Sequence, residues 1–184
     1  MTVDLYILAA GRSVRMGRPK PLVELGGISL LERAIRAGQA SSARSVTVVT
    51  GSARQEVEEQ AAAMEAGTTW NRAYRDGLST SVAAAVRHAG LHLDPASSLI
   101  LAGCDQPFLT AGLLNRLVDA ACEHPDRAVA CGYGGTVGIP ALFPSRLWPE
   151  LLDLHGDKGA KAVLERHRRR LVEMDWAAGG INVN

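Results

Sequence analysis

An apolar run that empties into a loop of small residues and cations constrains this chain more than anything else in it. Val3–Leu8 is nearly all apolar and leads into Ala9-Ala10-Gly11-Arg12-Ser13-Val14-Arg15-Met16-Gly17-Arg18-Pro19-Lys20. A short, continuous apolar run reads as a strand buried on both faces of a sheet. Glycine lets backbone N–H groups approach an anion closely, because no side chain stands in the way. Arg12, Arg15, Arg18 and Lys20 bring positive charge to the same loop. Strand, small-residue loop and cations together have the physical logic of a phosphate cradle.

Two familiar cradles do not fit. The P-loop spacing is Gly-x-x-x-x-Gly-Lys-Ser/Thr, whereas Gly11 and Gly17 lie one residue further apart and Arg18 follows. The dinucleotide fingerprint is Gly-x-Gly-x-x-Gly, and the place of its second glycine holds Ser13.

Beyond the loop, residues 21–27 read as a connector and 30–40 as a helix, capped by Ser29 with Glu32 in its first turn. A valine-rich strand at 45–49 precedes a helix at 53–66, and a short strand at 68–70 precedes a loop at 71–78. Ser79-Thr80-Ser81 open an alanine-rich helix at 82–89. A strand at 98–102, a loop at 103–109 and a helix at 111–123, capped by Thr110, come next. The remainder reads as a strand at 127–131, a glycine-rich stretch at 133–138, an extended piece at 139–143, helices at 147–154 and 158–167, a strand at 171–175, and a small, polar tail. Strands alternating with helices predict a three-layer α/β domain with a mostly parallel sheet. Such sheets bind ligands outside the carboxyl ends of their strands. The loops at 9–20, 71–78 and 103–109 leave such ends.

The length of 184 residues suits one domain, residues 1–184, with one sizeable core. A net charge of +1 gives no overall field that would favour nucleic acid. Arg166, Arg168, Arg169 and Arg170 form a local basic run that reads as a solvated helix end. Cys104, Cys122 and Cys131 lack the Cys-x-x-Cys spacing of a zinc site, and their odd number argues against a disulfide scaffold. Met1-Thr2-Val3-Asp4 has no basic stretch ahead of an apolar core, and no apolar run is long enough to span a bilayer. The expectation is a cytoplasmic protein with neither nucleic-acid nor membrane partners.

Asp105 stands just past the strand at 98–102, in Gly103-Cys104-Asp105-Gln106-Pro107. An acid there can point at a ligand, although alone it would read as a turn aspartate bonded to its own backbone. Magnesium takes one or two carboxylates plus phosphate oxygens and keeps several waters, so one aspartate facing a triphosphate suffices as an anchor. In Asn71-x-x-Tyr74-x-x-Gly77-Leu78-Ser79-Thr80-Ser81, capping explains Ser79 but requires neither Asn71 nor Gly77. Gly156-Asp157-Lys158-Gly159 suits a turn before a helix as well as it suits substrate contact.

The first loop resembles the signature of the MobA-like nucleotidyltransferases, Leu-Ala-Ala/Gly-Gly-x-Ser-x-Arg-Met-Gly-x-x-Lys. Leu8, Ala9, Ala10, Gly11, Ser13, Arg15, Met16, Gly17 and Lys20 occupy its places. Asp105-Gln106-Pro107 is similar to that family's Gly-Asp-Gln-Pro, with Cys104 where glycine is usual. The Asn71–Ser81 segment resembles the molybdenum-cofactor cytidylyltransferase branch, as do Gly138-x-Pro140-x-Leu142 and Gly156-Asp157-x-Gly159-Ala160. Gly180-Ile181-Asn182 corresponds to a family motif holding a second acid or amide; the family continues from there with Thr-Pro and a helix, where Val183-Asn184 close this sequence.

The resemblance implies a Rossmann-like, nucleotide-diphospho-sugar-transferase-like fold and a magnesium-dependent transfer of CMP from CTP to the phosphate of molybdenum-molybdopterin. Arg15, Lys20 and Asp105 would be catalytic. Leu8, Ala9, Ala10, Gly11, Arg12, Ser13, Arg15, Lys20, Gly77, Leu78 and Ser79 would hold the nucleotide, Asp105 and Asn182 the metal, and Gly138, Pro140, Asp157 and Lys158 the acceptor. A molybdoenzyme receiving the product is the further partner implied. Alanine at position 10 in place of glycine narrows the base pocket, which favours cytosine. Guanylyl transfer from GTP, nucleotidyl transfer to a sugar phosphate, and a non-catalytic nucleotide-binding maturation factor are the alternatives.

Overall fold

A computed structural model describes residues 1–11, 17–92 and 97–183. The strands are β1 (Val3–Leu8), β2 (Glu24–Leu25), β3 (Ile28–Ser29), β4 (Ser45–Thr50), β5 (Gly67–Trp70), β6 (Ser98–Gly103), β7 (Val129–Tyr133), β8 (Thr136–Pro144) and β9 (Val172–Asp175). The helices are α1 (Leu30–Gln39), α2 (Arg54–Ala63), α3 (Leu78–His92), α4 (Ala111–Glu123), α5 (Trp148–Leu152) and α6 (Lys161–Arg166).

Seven strands form one sheet in the order β5-β4-β1-β6-β8-β7-β9. All neighbours pair in parallel except β8, which runs antiparallel to both β6 and β7. The carboxyl ends of β1, β4, β5, β6, β7 and β9 therefore lie along one edge.

Both sheet faces are covered. On one, Leu31 and Ile35 of α1, Val57 of α2 and Leu113, Leu114 and Leu117 of α4 pack on Leu5, Ile7, Val48 and Ile100. On the other, Val82 and Val86 of α3, Leu151 of α5 and Val163 and Leu164 of α6 pack on Tyr6, Val49, Leu99 and Phe143. Alternate residues of β1 thus serve opposite cores, which is why its apolar run is continuous. Asp4 is the exception: it is 1% exposed, and the Arg44 guanidinium grips both its carboxylate oxygens, at 3.2 and 2.6 Å.

Local signals held where the deciding contacts are local. The Ser29 hydroxyl accepts from the Glu32 N–H at 3.0 Å, and the Thr110 hydroxyl from the Leu113 N–H at 3.2 Å. They failed where a distant partner decides. Ser79 to Ser81 lie inside α3 rather than ahead of it, because the Ser79 N–H in its first turn donates to the Gly156 carbonyl at 3.0 Å. The glycine-rich stretch at 133–138 is largely strand: β7 and β8 form a hairpin turning at Gly134-Gly135, both at positive φ. The connector at 21–27 contains β2, which pairs antiparallel with β3 just beyond it. Among the described residues, no helix is long and apolar enough to cross a membrane.

Candidate active site

The exits of β1 and β6 are adjacent rungs of the sheet. Leu8 pairs with Gly103, and one step on the Cys104 N–H donates to the Leu8 carbonyl at 3.3 Å. Backbone leaving β1 is also fixed from β4. The Ala9 N–H donates to the Val49 carbonyl at 3.0 Å, and the Ser52 hydroxyl donates to the Gly11 carbonyl at 2.7 Å. Ala9 and Ala10 are buried and Gly11 is exposed, so the chain surfaces at the glycine. Arg12, Ser13 and Arg15 lie outside the described residues. Ala10 is 3% exposed, with its methyl close to Gly51 where the β1 and β4 exits meet.

Lys20 and Asp105 meet at this edge. The Lys20 Nζ lies 3.2 Å from Asp105 Oδ2, and the two side chains are 21% and 31% exposed. Lys20 opens a single 3-10 turn, Lys20–Leu22, anchored by the buried Pro21. Gly103 makes room for the carboxylate, since a Cβ there would stand 2.6 Å from Asp105 Oδ1. The tail comes back to the same turn, where the Val183 N–H donates to the Asp105 carbonyl at 3.1 Å. That bond brings the exposed Asn182 into the neighbourhood of Asp105.

Cys104 points away from this chemistry. It is 6% exposed among the apolar residues under α1 and α4, and burial, reinforced by the nearby Asp105 charge, pushes its thiol up to about 12. A neutral, enclosed thiol fills space; it is not a nucleophile.

A second group assembles around α3. The Asn71 side-chain amide donates to Thr80 Oγ1 at 2.9 Å and to Ser81 Oγ at 3.1 Å, while its Oδ1 accepts from the Ala73 N–H at 3.1 Å. Asn71 thus closes the loop it begins. Gly77 sits at φ 106°, ψ 173°, and a Cβ on it would stand 2.4 Å from the carbonyl carbon and oxygen of Gly156. The segment Gly77-Leu78-Ser79 is therefore seated on the turn that carries Asp157 and Lys158. In that unit Leu78, Asp157 and Lys158 are exposed and Ser79 is buried.

Gly138 and Pro140 lie buried on β8, and they join the first group through Gln106. The Gln106 side chain accepts from the Gly103 N–H at 3.1 Å and donates to the Ile139 carbonyl at 2.7 Å. Sequence reasoning noted Gln106 as part of a motif but gave it no task. It also missed Ser52 and the backbone of Val183, whose contacts join segments far apart in the chain. A polar residue between Asp105 and Pro107 was the available hint for the first; the others left none.

The model of the MobA-like NTP transferase domain matches residues 5–171. The chain belongs to that family. Across 178 residues it is 32% identical to the molybdenum cofactor guanylyltransferase of Sinorhizobium fredii, covering 94% of this chain and 78% of that protein. It is 35% identical over 139 residues to the bifunctional protein GlmU of Cereibacter sphaeroides; the match takes in 73% of this chain but 29% of GlmU. Rv0371c of Mycobacterium tuberculosis H37Rv shares the fold, with a TM-score of 0.81 at 24% identity over 100% of this chain and 92% of that one. The same mycobacterial protein has also been solved in complex with manganese.

Proposed function

We propose that this chain is a divalent-cation-dependent nucleotidyltransferase that moves CMP from CTP to the phosphate of a molybdopterin-type acceptor and releases pyrophosphate. The observation that carries the reading is the meeting of Lys20 and Asp105, 3.2 Å apart, beside the backbone that surfaces at Gly11. An ammonium, a carboxylate and a glycine loop at the carboxyl edge of a parallel sheet are the parts that a nucleoside triphosphate and its cation require.

The donor set fits a hard cation. Asp105 offers carboxylate oxygen at a partly exposed position where a positive charge already sits, and Asn182, next to the Val183 N–H that bonds the Asp105 carbonyl, would add an amide oxygen. Magnesium is the expected ion, and it would offset charge on the phosphate oxygens when bound. The remaining work belongs to the chain. An oxygen of the acceptor phosphate attacks the α-phosphorus, the bond from that phosphorus to the β-phosphate oxygen breaks, and pyrophosphate leaves. The nucleophile is already ionised near neutral pH, so no side chain has to take its proton. Catalysis is then positioning and charge stabilisation. Lys20, together with Arg12, Ser13 and Arg15 of the same loop, would grip the triphosphate. Leu8 to Gly11 would supply backbone, and Gly77, Leu78 and Ser79 would border the nucleobase. Gly138, Pro140, Asp157 and Lys158 would border the acceptor.

The resemblance of Asn71–Ser81 to the cytidylyl branch favours CTP. The relative named a molybdenum cofactor guanylyltransferase, matched over 94% of this chain, favours GTP as a second reading. Incubation with labelled CTP or GTP, magnesium and molybdenum-molybdopterin separates them. Pyrophosphate release with CTP supports the first reading, and release with GTP alone supports the second. Tight nucleotide binding without release would refute both and leave a binding protein.

A further inference from the structure

We propose that Gln106 is a positioning residue for the Asp105 carboxylate, its side-chain amide serving as a rung inserted between β6 and β8. This rests on the reading that Asp105 holds the cation. The antiparallel ladder runs from Ser98↔Pro144 to Leu101↔Ala141. Continued by two residues, the register would set Gly103 opposite Ile139, with Pro140, which has no N–H, in between. The strands do not pair directly there. Instead Gln106 Oε1 accepts from the Gly103 N–H at 3.1 Å, and Gln106 Nε2 donates to the Ile139 carbonyl at 2.7 Å.

A primary amide is one of the few neutral groups that can accept at one end and donate at the other. It therefore replaces a peptide rung while holding the strands further apart. The residue is 5% exposed, although Phe108 two places on is 51% exposed. Its own carbonyl accepts from the Leu109 N–H at 3.1 Å, so main chain and side chain are both tied.

The consequence falls on its neighbour. Asp105 is flanked by Cys104, whose N–H is bonded to Leu8, and by Gln106, whose side chain is bonded to two strands. The direction of the carboxylate is set by that bracket. The same rung ties the turn to the part of β8 that carries Pro140, the side expected to face the acceptor. Lose the rung, and the buried Gly103 N–H is short of a partner, while the Ile139 carbonyl keeps only the Tyr133 hydroxyl at 3.4 Å, a loss that the turn relieves by moving.

The test is Gln106→Met, which keeps length and volume but removes both bonds, with Gln106→Asn as a second variant whose amide is one methylene too short to reach both strands. Mn2+ is titrated by electron paramagnetic resonance into full-length protein loaded with non-hydrolysable CTP and GTP analogues in parallel, below the thermal transition of each variant. The expected result is a Mn2+ affinity lowered about tenfold or more in both variants, with nucleotide affinity in the absence of metal within about twofold of wild type. In the Asp105→Ala background, Gln106→Met should lower Mn2+ affinity no further. Wild-type Mn2+ affinity in folded Gln106→Met or Gln106→Asn overturns the proposal. If wild type binds Mn2+ as described and the variants lose it, yet no nucleotide is turned over, the strut stands and the transferase reading falls.

Discussion

Gly77→Ala is the substitution whose cost the structure fixes best. At φ 106° and ψ 173° the residue occupies a region essentially reserved for glycine, where a side chain costs about 1–3 kcal/mol. The new Cβ would stand 2.4 Å from the Gly156 carbonyl carbon and oxygen, all of it backbone with no rotamer to turn aside. Moving Gly156 away strains the bond from the Ser79 N–H, now 3.0 Å, which is worth about 1 kcal/mol. The sum is about 2–4 kcal/mol. For a chain of this size each kcal/mol shifts the melting temperature by about 2–4 °C, so Gly77→Ala should melt about 4–16 °C below wild type. Differential scanning calorimetry reads this directly. Gly90→Ala is the control: it lies in α3 with open space around it, and should stabilise by about 0.5–1 kcal/mol. A Gly77→Ala protein melting within about 1 °C of wild type would refute the seating of this loop on the Gly156 turn.

Gly103→Ala should fold near-normally but bind Mn2+ and nucleotide less well together, since its Cβ would displace Asp105 Oδ1; isothermal titration calorimetry of wild type and variant reads the difference. Arg44→Ala should cost about 2–4 kcal/mol in a urea melt, because it strips a bidentate partner from a carboxylate that is 1% exposed. Burial pushes the Cys104 and Cys131 thiols up from 9.0 to about 12, while Cys122 is exposed, so native protein at pH 8 should react quickly with a thiol reagent at Cys122 and at the other two only once unfolded. The same shift has a stability consequence. A raised folded value keeps its full contribution below 9.0 and loses it as pH rises toward about 12, so the urea midpoint should fall between pH 8 and pH 10.

Much of this molecule is legible from residues alone. Val3–Leu8 reads as a strand because both its faces are buried, and Ser29 and Thr110 read as caps because capping is settled within a single turn. The candidate site was legible in its parts, Gly11, Lys20 and Asp105, because each carries chemistry that a bare core position lacks. What joins those parts was not. The start of α3 depends on a carbonyl at Gly156, the β7–β8 hairpin on pairing that a glycine-rich stretch disguises, and the Asp105 turn on an amide reaching Ile139. Each is a contact between segments far apart in sequence, fixed by the order of strands in the sheet.

The Asp105 carboxylate, set beside Lys20 and the β1 exit, carries the account. Pyrophosphate release by Asp105→Ala, measured against wild type at saturating nucleotide and magnesium, tests it. The account predicts unchanged thermal stability and a rate lowered by about a hundredfold or more; a rate within about tenfold, or 1.4 kcal/mol of barrier, would contradict it.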